Sequence, residues 1–298
     1  MPTKSIFKPA PVLKHKCVLG EGPLWDSKRT TICWLDIVEG IIHQYNINSR
    51  QHRTIHVGQM IGCICLSSDG NFIAGLKNGI AKIDRETGQL EMMAHPEKHL
   101  PGNRFNDGRC DPAGRFWAGT MAISEEEGAG NLYMMDHEGV VSKKIEGVTI
   151  SNGLAWSPDY RTLYYIDTPT QQVVAFNYDI SSGKISGKHV VINIPDDQGW
   201  PDGMTIDIEG MLWIAHWGGW QVSRWDPNTG QQLLRIPLPV SKVTSCTFGG
   251  EALDDLYITS ASIDLSEKEN TEQPLAGCLF VIRNSGFRGR LPFEYCPA

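Results

Sequence analysis

Long apolar runs, extended helical periodicity and clusters of basic residues are all scarce in this sequence. Its 298 residues contain no run near the roughly 18 apolar residues that a membrane-spanning helix requires. The opening "MPTKSIFKPAPVLKH" has no apolar segment of the kind that directs secretion. The net charge is −7 and the basic residues are scattered, which argues against nucleic acid and anionic membranes as partners. We therefore expect a cytoplasmic protein that binds neither.

A disulfide framework is also missing. The eight cysteines include no Cys-x-x-Cys pair. Cys63 and Cys65 alternate within an apolar run, which places both on one face of a strand as small hydrophobic residues. Reduced thiols in a reducing compartment are the expectation.

What the sequence does contain is one pattern of short strands, repeated six times. Each unit has an apolar strand, a tight turn rich in Asp, Gly and Pro, a second strand such as "RFWAGT" or "TLYYID", a third strand and a weaker fourth. Four strands in every 40 to 50 residues are typical of a propeller blade. We predict an all-β, six-bladed β-propeller that forms a single domain over residues 1–298. The units align on Gly22, Gly62, Gly108, Gly153, Gly203 and Ser245.

The two ends of the chain are expected to close the ring. The segment "GCLFVIRNSG" at 277–286 forms a strand beyond the second strand of unit six, and "PVLKHKC" near the start precedes unit one as a lone strand. Pairing the N-terminal strand with the last blade hides the exposed edges of both.

Polar residues recur where each unit begins. In a propeller the first strand of each blade lines the central channel, and the loop before it lies over one mouth. The residues in these loops, just ahead of the aligned positions, are therefore predicted to converge over that mouth. They are Glu21, Ile61, Asp107, Asn152, Asp202 and Thr244. Carboxylates held this close raise one another's pKa unless a cation lies among them. Turn chemistry is the alternative, because Asn-Gly and Asp-Gly are common turn dipeptides, but it does not explain the shared register.

The candidate ligands of such a cation all offer oxygen. Glu21, Asn152 and Asp202 form the predicted set, and Asn106 is a further candidate. Oxygen ligation favours one hard divalent ion, Ca²⁺, Mg²⁺ or Mn²⁺, with Zn²⁺ and Fe²⁺ left open. Three or four protein ligands leave positions for water or substrate, which indicates a catalytic site.

The histidines offer a competing metal site. The pairs His52/His56 and His95/His99 have a spacing that could bind zinc on a helix. Both lie in polar segments at blade edges, so we interpret them as surface residues. His216 in "IAHWGGW" is predicted to pack within a blade or line the channel.

At these residues the sequence resembles the senescence marker protein 30/gluconolactonase/luciferin-regenerating enzyme family, over about residues 15–292. The motifs that carry the resemblance are, in order, "LGEGPLWD", "NRFNDGRCDPAGRFWAGTM", "SNGLAWSPD", "PDGMTIDIEGMLWIAHWGG" and "TSCTFGG". The resemblance implies a six-bladed propeller with one divalent cation at the channel mouth that hydrolyses sugar lactones.

The family's site residues can be carried over by motif. Its three metal ligands fall on Glu21, Asn152 and Asp202, and its proposed general base also falls on Asp202. Its substrate-binding arginine and asparagine fall on Arg104 and Asn106.

One family residue has no secure match. A substrate-contacting glutamate of some members aligns with Ser124, and Glu125 follows next. The resemblance therefore leaves the exact sugar open.

The mechanism expected from this set is lactone hydrolysis. The cation polarises the carbonyl, Asp202 takes a proton from the attacking water, and Arg104 and Asn106 orient the ring. Three alternatives stay open: a lactonase or phosphotriesterase with another substrate on the same metal site, a calcium-binding regulatory protein without turnover, and an interaction scaffold like WD or kelch propellers. A monomer or small homo-oligomer is expected.

Overall fold

Six four-stranded antiparallel sheets make up the fold in the computed structural model, which describes residues 7–298. The sheets are arranged as the blades of a propeller, so the predicted six-bladed β-propeller is confirmed. Blades one to five are each a meander in which neighbouring strands are joined by turns, as the Asp- and Gly-rich segments predict.

The first three blades take their strands in chain order. Blade one contains β2 (Gly20–Asp26), β3 (Thr31–Asp36), β4 (Ile41–Asn46) and β5 (His52–His56). Blade two contains β6 (Ile61–Leu66), β7 (Phe72–Leu76), β8 (Gly79–Ile83) and β9 (Leu90–Ala94). Blade three contains β10 (Asn103–Cys110), β11 (Phe116–Ala122), β12 (Gly130–Met135) and β13 (Val141–Val148).

Blades four and five follow the same order, and blade six takes one strand from the start of the chain. Blade four contains β14 (Ser151–Trp156), β15 (Thr162–Asp167), β16 (Gln172–Asp179) and β17 (Lys184–Asn193). Blade five contains β18 (Trp200–Ile206), β19 (Leu212–Trp217), β20 (Gln221–Asp226) and β21 (Gln231–Pro237). Blade six contains β22 (Val243–Gly249), β23 (Asp255–Ser260), β24 (Phe280–Ile282) and β1 (Ala10–Pro11).

Helical structure in the described chain is short. Two 3₁₀ turns span Thr168–Thr170 and Asp196–Gln198, and one α-helix, α1, spans Glu267–Glu272. Ser266 caps the N-terminus of α1 and exchanges hydrogen bonds with Glu269, and together the two residues form a capping box. No helix within residues 7–298 is long and apolar enough to cross a membrane.

The ring closes through the predicted pairing of the N-terminal strand with the last blade. Ala10 lies opposite Val281 and Pro11 opposite Phe280 in an antiparallel pair. The paired strand overlaps the predicted "PVLKHKC" at 11–17 only at Pro11, so most of that predicted strand is wrong. After Pro11 the chain leads from the outer edge of blade six towards the inner strand of blade one. The crossing remains tied to blade six by a hydrogen bond from the Cys17 amide to the Gly277 carbonyl, 2.9 Å long.

The hydrophobic core is divided among the seams between adjacent blades. Buried side chains form six clusters, and each cluster joins two neighbouring blades. Inner strands such as β3 and β6 are buried at every residue because both of their faces meet another blade. Outer strands such as β13 and β21 are largely exposed, which explains why the fourth strand of each unit is weak in sequence.

Candidate active site at the channel mouth

Three buried polar side chains meet where the inner strands of blades one, four and five approach the axis. Glu21 lies on β2, Asn152 on β14 and Asp202 on β18, and their exposed fractions are 7%, 4% and 8%. All three line one cavity of about 390 Å³. The structure thus brings together the three residues that the sequence predicts as metal ligands.

A β-bulge at the same register directs these side chains. The pairing register shifts between Glu21 and Leu24, between Asn152 and Leu154, and between Pro201 and Met204. A bulge inserts an unpaired residue and re-aims the side chains beside it. The sequence analysis placed these residues in loops ahead of the strands, and that placement is wrong. They lie within the strands, where the bulge takes up the turn-like Asn-Gly and Asp-Gly pairs.

The glycines after two of these residues allow the inner strands to approach one another. A Cβ on Gly153 would lie 2.6 Å from the Cβ of Met204, and a Cβ on Gly203 would overlap the hydroxyl of Ser245. Neither glycine has a positive φ. Their role is therefore to leave room at the crowded axis rather than to supply a special backbone conformation.

The two carboxylates at the mouth repel each other. Burial first and then nearby Asp107 raise the pKa of Glu21 to about 8, although the Gly22 amide, Arg109 and Arg104 act to lower it. The pKa of Asp202 is raised well above its usual value by burial, by Glu21 and by Asp107. A bound cation would remove this repulsion, because an opposite charge favours the ionised form of both groups.

Asn152 has an oxygen that the protein leaves without a partner. Its amide nitrogen donates to Thr168 Oγ1 at 2.8 Å, and the Thr168 hydroxyl donates to the Pro201 carbonyl at 2.8 Å. This chain fixes the orientation of the amide. Asn152 Oδ1 is buried and has no hydrogen-bond partner, which is costly unless something else occupies it. An amide oxygen beside two carboxylates fits a hard divalent cation.

Arg104 and Asn106 lie on β10 of blade three and line the same cavity. Arg104 Nη1 donates to Asn106 Oδ1 at 2.7 Å and to the Phe105 carbonyl at 3.0 Å. Asn106 Nδ2 donates to the Ser151 carbonyl at 2.8 Å. Asn106 Oδ1 already accepts from the charged Arg104 guanidinium, which makes it a poorer candidate for a further metal ligand than the unpartnered Asn152 Oδ1.

Burial lowers the pKa of Arg104 to about 10, opposed first by Glu21 and then by Glu125. The guanidinium therefore stays charged at neutral pH. Glu125 lines the cavity and Ser124 does not, so the side chain next to the aligned position occupies this wall. A positive φ of 59° at Glu125 accompanies the turn at the end of β11.

The rest of the cavity wall is mostly apolar, and the sequence analysis did not identify it. Trp200 is 45% exposed at the rim. It shares the wall with Trp217, Met121, Ile150 and Pro169. Aromatic residues at strand ends were the only sequence signal for this surface.

Asp107 belongs to the channel below the mouth rather than to the cavity. It lines a separate cavity of about 80 Å³ with Arg109, against the C-terminal segment at 290–293. Asp107 Oδ1 accepts from the Gly108 amide at 2.7 Å, and its Oδ2 has no partner. Arg109 was missed, although strand alternation places it on the same face as Asp107.

The histidines separate into different environments. His56, His95 and His99 are exposed, as expected for surface residues. His52 is half-buried and contacts His43 on β4, so it is not a simple surface residue. His216 is buried, and its Nε2 shares a hydrogen bond with Ser223 of the same blade, which fits a packing role.

Comparisons with known proteins identify relatives that share this fold. The model of the SMP-30/gluconolactonase/LRE-like region matches residues 19–262. Regucalcin from Danio rerio is 37% identical over 286 residues, which cover 95% of this chain and 97% of that protein. The Bacillus subtilis protein named "Putative sugar lactone lactonase YvrE" is 38% identical over 89% of this chain and 91% of its own.

A solved structure extends the comparison to three dimensions. The crystal structure described as a calcium-binding protein, regucalcin, from Agrobacterium tumefaciens superposes with a TM-score of 0.93. It is 31% identical in sequence, and the match covers 97% of each chain.

Proposed function

The chain belongs to the SMP-30/gluconolactonase/LRE-like family, and we propose that it is a divalent-metal-dependent hydrolase that opens sugar lactones such as aldonolactones. The observation that carries the proposal is the convergence of Glu21, Asn152 and Asp202 in one buried cavity, with Asn152 Oδ1 lacking any partner. The lactonase named among its relatives supports the reaction class. A cytoplasmic location stays a prediction.

Glu21, Asn152 and Asp202 would hold the cation through their side-chain oxygens. This donor set suits Ca²⁺, Mg²⁺ or Mn²⁺ best, and Zn²⁺ or Fe²⁺ less well. When bound, the ion supplies Lewis acidity that stabilises charge developing on a lactone carbonyl, an effect worth several kcal/mol.

Asp202 is proposed to hold the proton that the attacking water loses. Its carboxylate has one oxygen for ligation and a second that can accept this proton.

Arg104, Asn106 and Glu125 are proposed to position the sugar. The Arg104–Asn106 hydrogen bond holds both side chains in one orientation before substrate binds, so less conformational freedom is lost on binding. Arg104 offers donors and Glu125 offers acceptors to ring hydroxyls.

The cavity suits one monosaccharide-sized ligand. Its volume of about 390 Å³ falls at the lower end of the range for small-molecule sites. Trp200 and Trp217 provide flat apolar surface against which the C–H face of a sugar ring can pack.

The direct test is hydrolysis of a panel of aldonolactones by the purified protein after chelation. The panel contains five- and six-membered rings and several epimers, together with an aryl lactone and a phosphotriester. We expect turnover of sugar lactones to vanish with chelator and to return with a single added divalent ion. A preference for the phosphotriester would favour the other hydrolase, and calcium binding without any turnover would favour a regulatory protein.

A further inference from the structure

We propose a second metal site, formed by His15, Cys17 and His43, that takes a transition-metal ion of the Zn²⁺ class. One potential ligand atom from each residue lies within 4.8 Å of the others. The site is separate in composition from the channel mouth, where every candidate donor is oxygen. Nitrogen and sulfur donors instead select zinc-like ions over calcium and magnesium.

Cys17 and His43 are already separated by the distance expected for two ligands of one metal ion. Cys17 Sγ lies 3.7 Å from His43 Nε2. With a metal–sulfur bond of about 2.3 Å and a metal–nitrogen bond of about 2.0 Å at a tetrahedral angle, the two ligand atoms lie roughly 3.5 Å apart, close to the observed separation. No rearrangement of Cys17 or His43 is therefore needed to place an ion between them.

A second contact holds the His43 ring in the orientation that ligation requires. His43 Nδ1 lies 3.1 Å from His52 Nε2. The Trp34 ring stacks on His43 with centroids 4.8 Å apart and an interplanar angle of 15°. Metal-bound histidines usually donate their other ring N–H to a fixed acceptor, which sets the tautomer. His52 is placed to be that acceptor, leaving the Nε2 lone pair directed to Cys17.

The protonation states of the two buried groups define the binding reaction. Burial, reinforced by the neighbouring histidines, lowers the pKa of His43 to about 3, so its ring is neutral at pH 7. Burial raises the pKa of the Cys17 thiol to about 12. Binding then forms one metal–sulfur bond and releases the thiol proton to solvent, with no change of oxidation state.

Access to the site comes from the side of His15. Cys17 and His43 are fully buried, whereas His15 is exposed on the segment that leads into β2. Its ring centroid lies 4.6 Å from that of His43. An ion arriving from solvent can meet His15 first, and the exposed side chain can adjust to complete the coordination. Water fills the fourth position.

The location gives such a site a structural role. Cys17 packs with Trp25 and Trp34 of blade one and with Tyr257 and Leu279 of blade six, in the seam where the ring closes. Two of the three ligands lie on the segment that crosses this seam, and the third lies on blade one. A metal bound here would tie the closing segment to blade one, which would oppose opening of the ring.

Cobalt provides a probe that reports this site alone. Metal-free protein is titrated with Co²⁺ while the near-ultraviolet absorption is recorded, because thiolate ligation produces a charge-transfer band that oxygen ligands do not. We expect one equivalent of Co²⁺ to produce the band and Zn²⁺ to abolish it. Absence of the band in the wild-type protein would overturn the proposal, whatever the lactonase assays show.

Matched variants assign the ligands. Cys17→Ser should lose the band, and Cys296→Ser, which changes the exposed cysteine, should keep it. His15→Ala, at an exposed position that folding tolerates, should weaken Co²⁺ binding at least tenfold, while His56→Asn should not.

Thermal unfolding gives a further readout. With Ca²⁺ present in excess to fill the channel mouth, Zn²⁺ should raise the unfolding midpoint of the wild type further. His15→Ala should abolish that further shift without altering the metal-free midpoint. A band that survives Cys17→Ser, or affinity unchanged by His15→Ala, would contradict the assignment.

Discussion

Buried carboxylates inside the blades and buried carboxylates at the axis are partnered in opposite ways. Within blades three and five, Asp111 pairs with Arg115 at 2.7 Å and Asp207 with Arg224 at 2.8 Å. Each also accepts from a tryptophan indole N–H. At the axis, neither Glu21 nor Asp202 forms an ion pair with any lysine or arginine among residues 7–298.

The difference in partners indicates different roles for the blade-interior and the axial carboxylates. An unpartnered buried charge costs several kcal/mol, and blade-interior carboxylates avoid that cost through arginine. The axial carboxylates have no such partner, and burial and their mutual proximity raise the pKa of both groups. A bound cation, which is not part of the chain, would supply the positive charge that Glu21 and Asp202 lack. These axial carboxylates are therefore suited to binding an exchangeable cation.

Substitution of the proposed general base, Asp202, is expected to have the largest effect on turnover. Asp202→Asn keeps a ligand oxygen but cannot accept a proton, so lactone turnover should fall by about 10²- to 10⁴-fold. Steady-state rates with saturating metal, together with metal affinity, measure this. Full activity in this variant would remove Asp202 from the role of base.

The equivalent substitution of a carboxylate inside a blade should reduce stability rather than turnover. Asp111→Asn leaves Arg115 buried without a countercharge and should reduce the free energy of unfolding by about 3 kcal/mol. Urea denaturation measures the loss. Turnover per folded molecule should stay at the wild-type value, and a large loss of turnover at unchanged stability would break the comparison.

Substitution of Arg104 should reduce catalysis less than loss of the base. Arg104→Lys retains the charge but loses the fixed geometry that holds Asn106, so kcat/KM should fall by about 10- to 100-fold. Separate kcat and KM values show whether binding or orientation is lost. Metal affinity serves as the control and should not change.

The metal-free protein should become less stable as the pH rises. The pKa of Glu21 is about 8 when folded and 4.5 in its model value, so between these the folded state keeps a proton that the unfolded state has lost. Stability then falls with increasing pH across this window. Unfolding free energies at several pH values, with and without metal, test this. Glu21→Gln should weaken the dependence of the unfolding free energy on pH. An unchanged slope in that variant would show that Glu21 is not its cause.

The smallest expected effects are on KM, and they distinguish the roles of the neighbouring residues Glu125 and Ser124. Glu125→Gln should raise KM for sugar lactones several-fold through loss of a charged acceptor, on the order of 1 kcal/mol. Ser124→Ala should leave KM within about twofold, because Ser124 does not line the cavity. Michaelis constants for several epimers measure both, and a larger effect at Ser124 would reverse the assignment.

The sequence predicted the fold well because the repeat is visible in short-range patterns. Turn residues and alternating strands recur six times, and the axial register of Glu21, Asn152 and Asp202 follows from that repetition. The bulges were not predictable, because Asn152-Gly153 reads equally well as a turn.

Contacts between distant segments also escaped prediction. Asp107 shares the predicted register but faces the channel, since the bulge on β10 separates it from Asn106. The approach of His15 and Cys17 to His43 depends on how the closing segment crosses the seam, which local sequence does not specify.

A divalent ion on the axis between three blades should be visible by anomalous diffraction from crystals grown with Mn²⁺. We expect a peak in the channel mouth within about 2.6 Å of side-chain oxygens of Glu21, Asn152 and Asp202. A mouth without a peak, with those oxygens turned towards solvent, would contradict it.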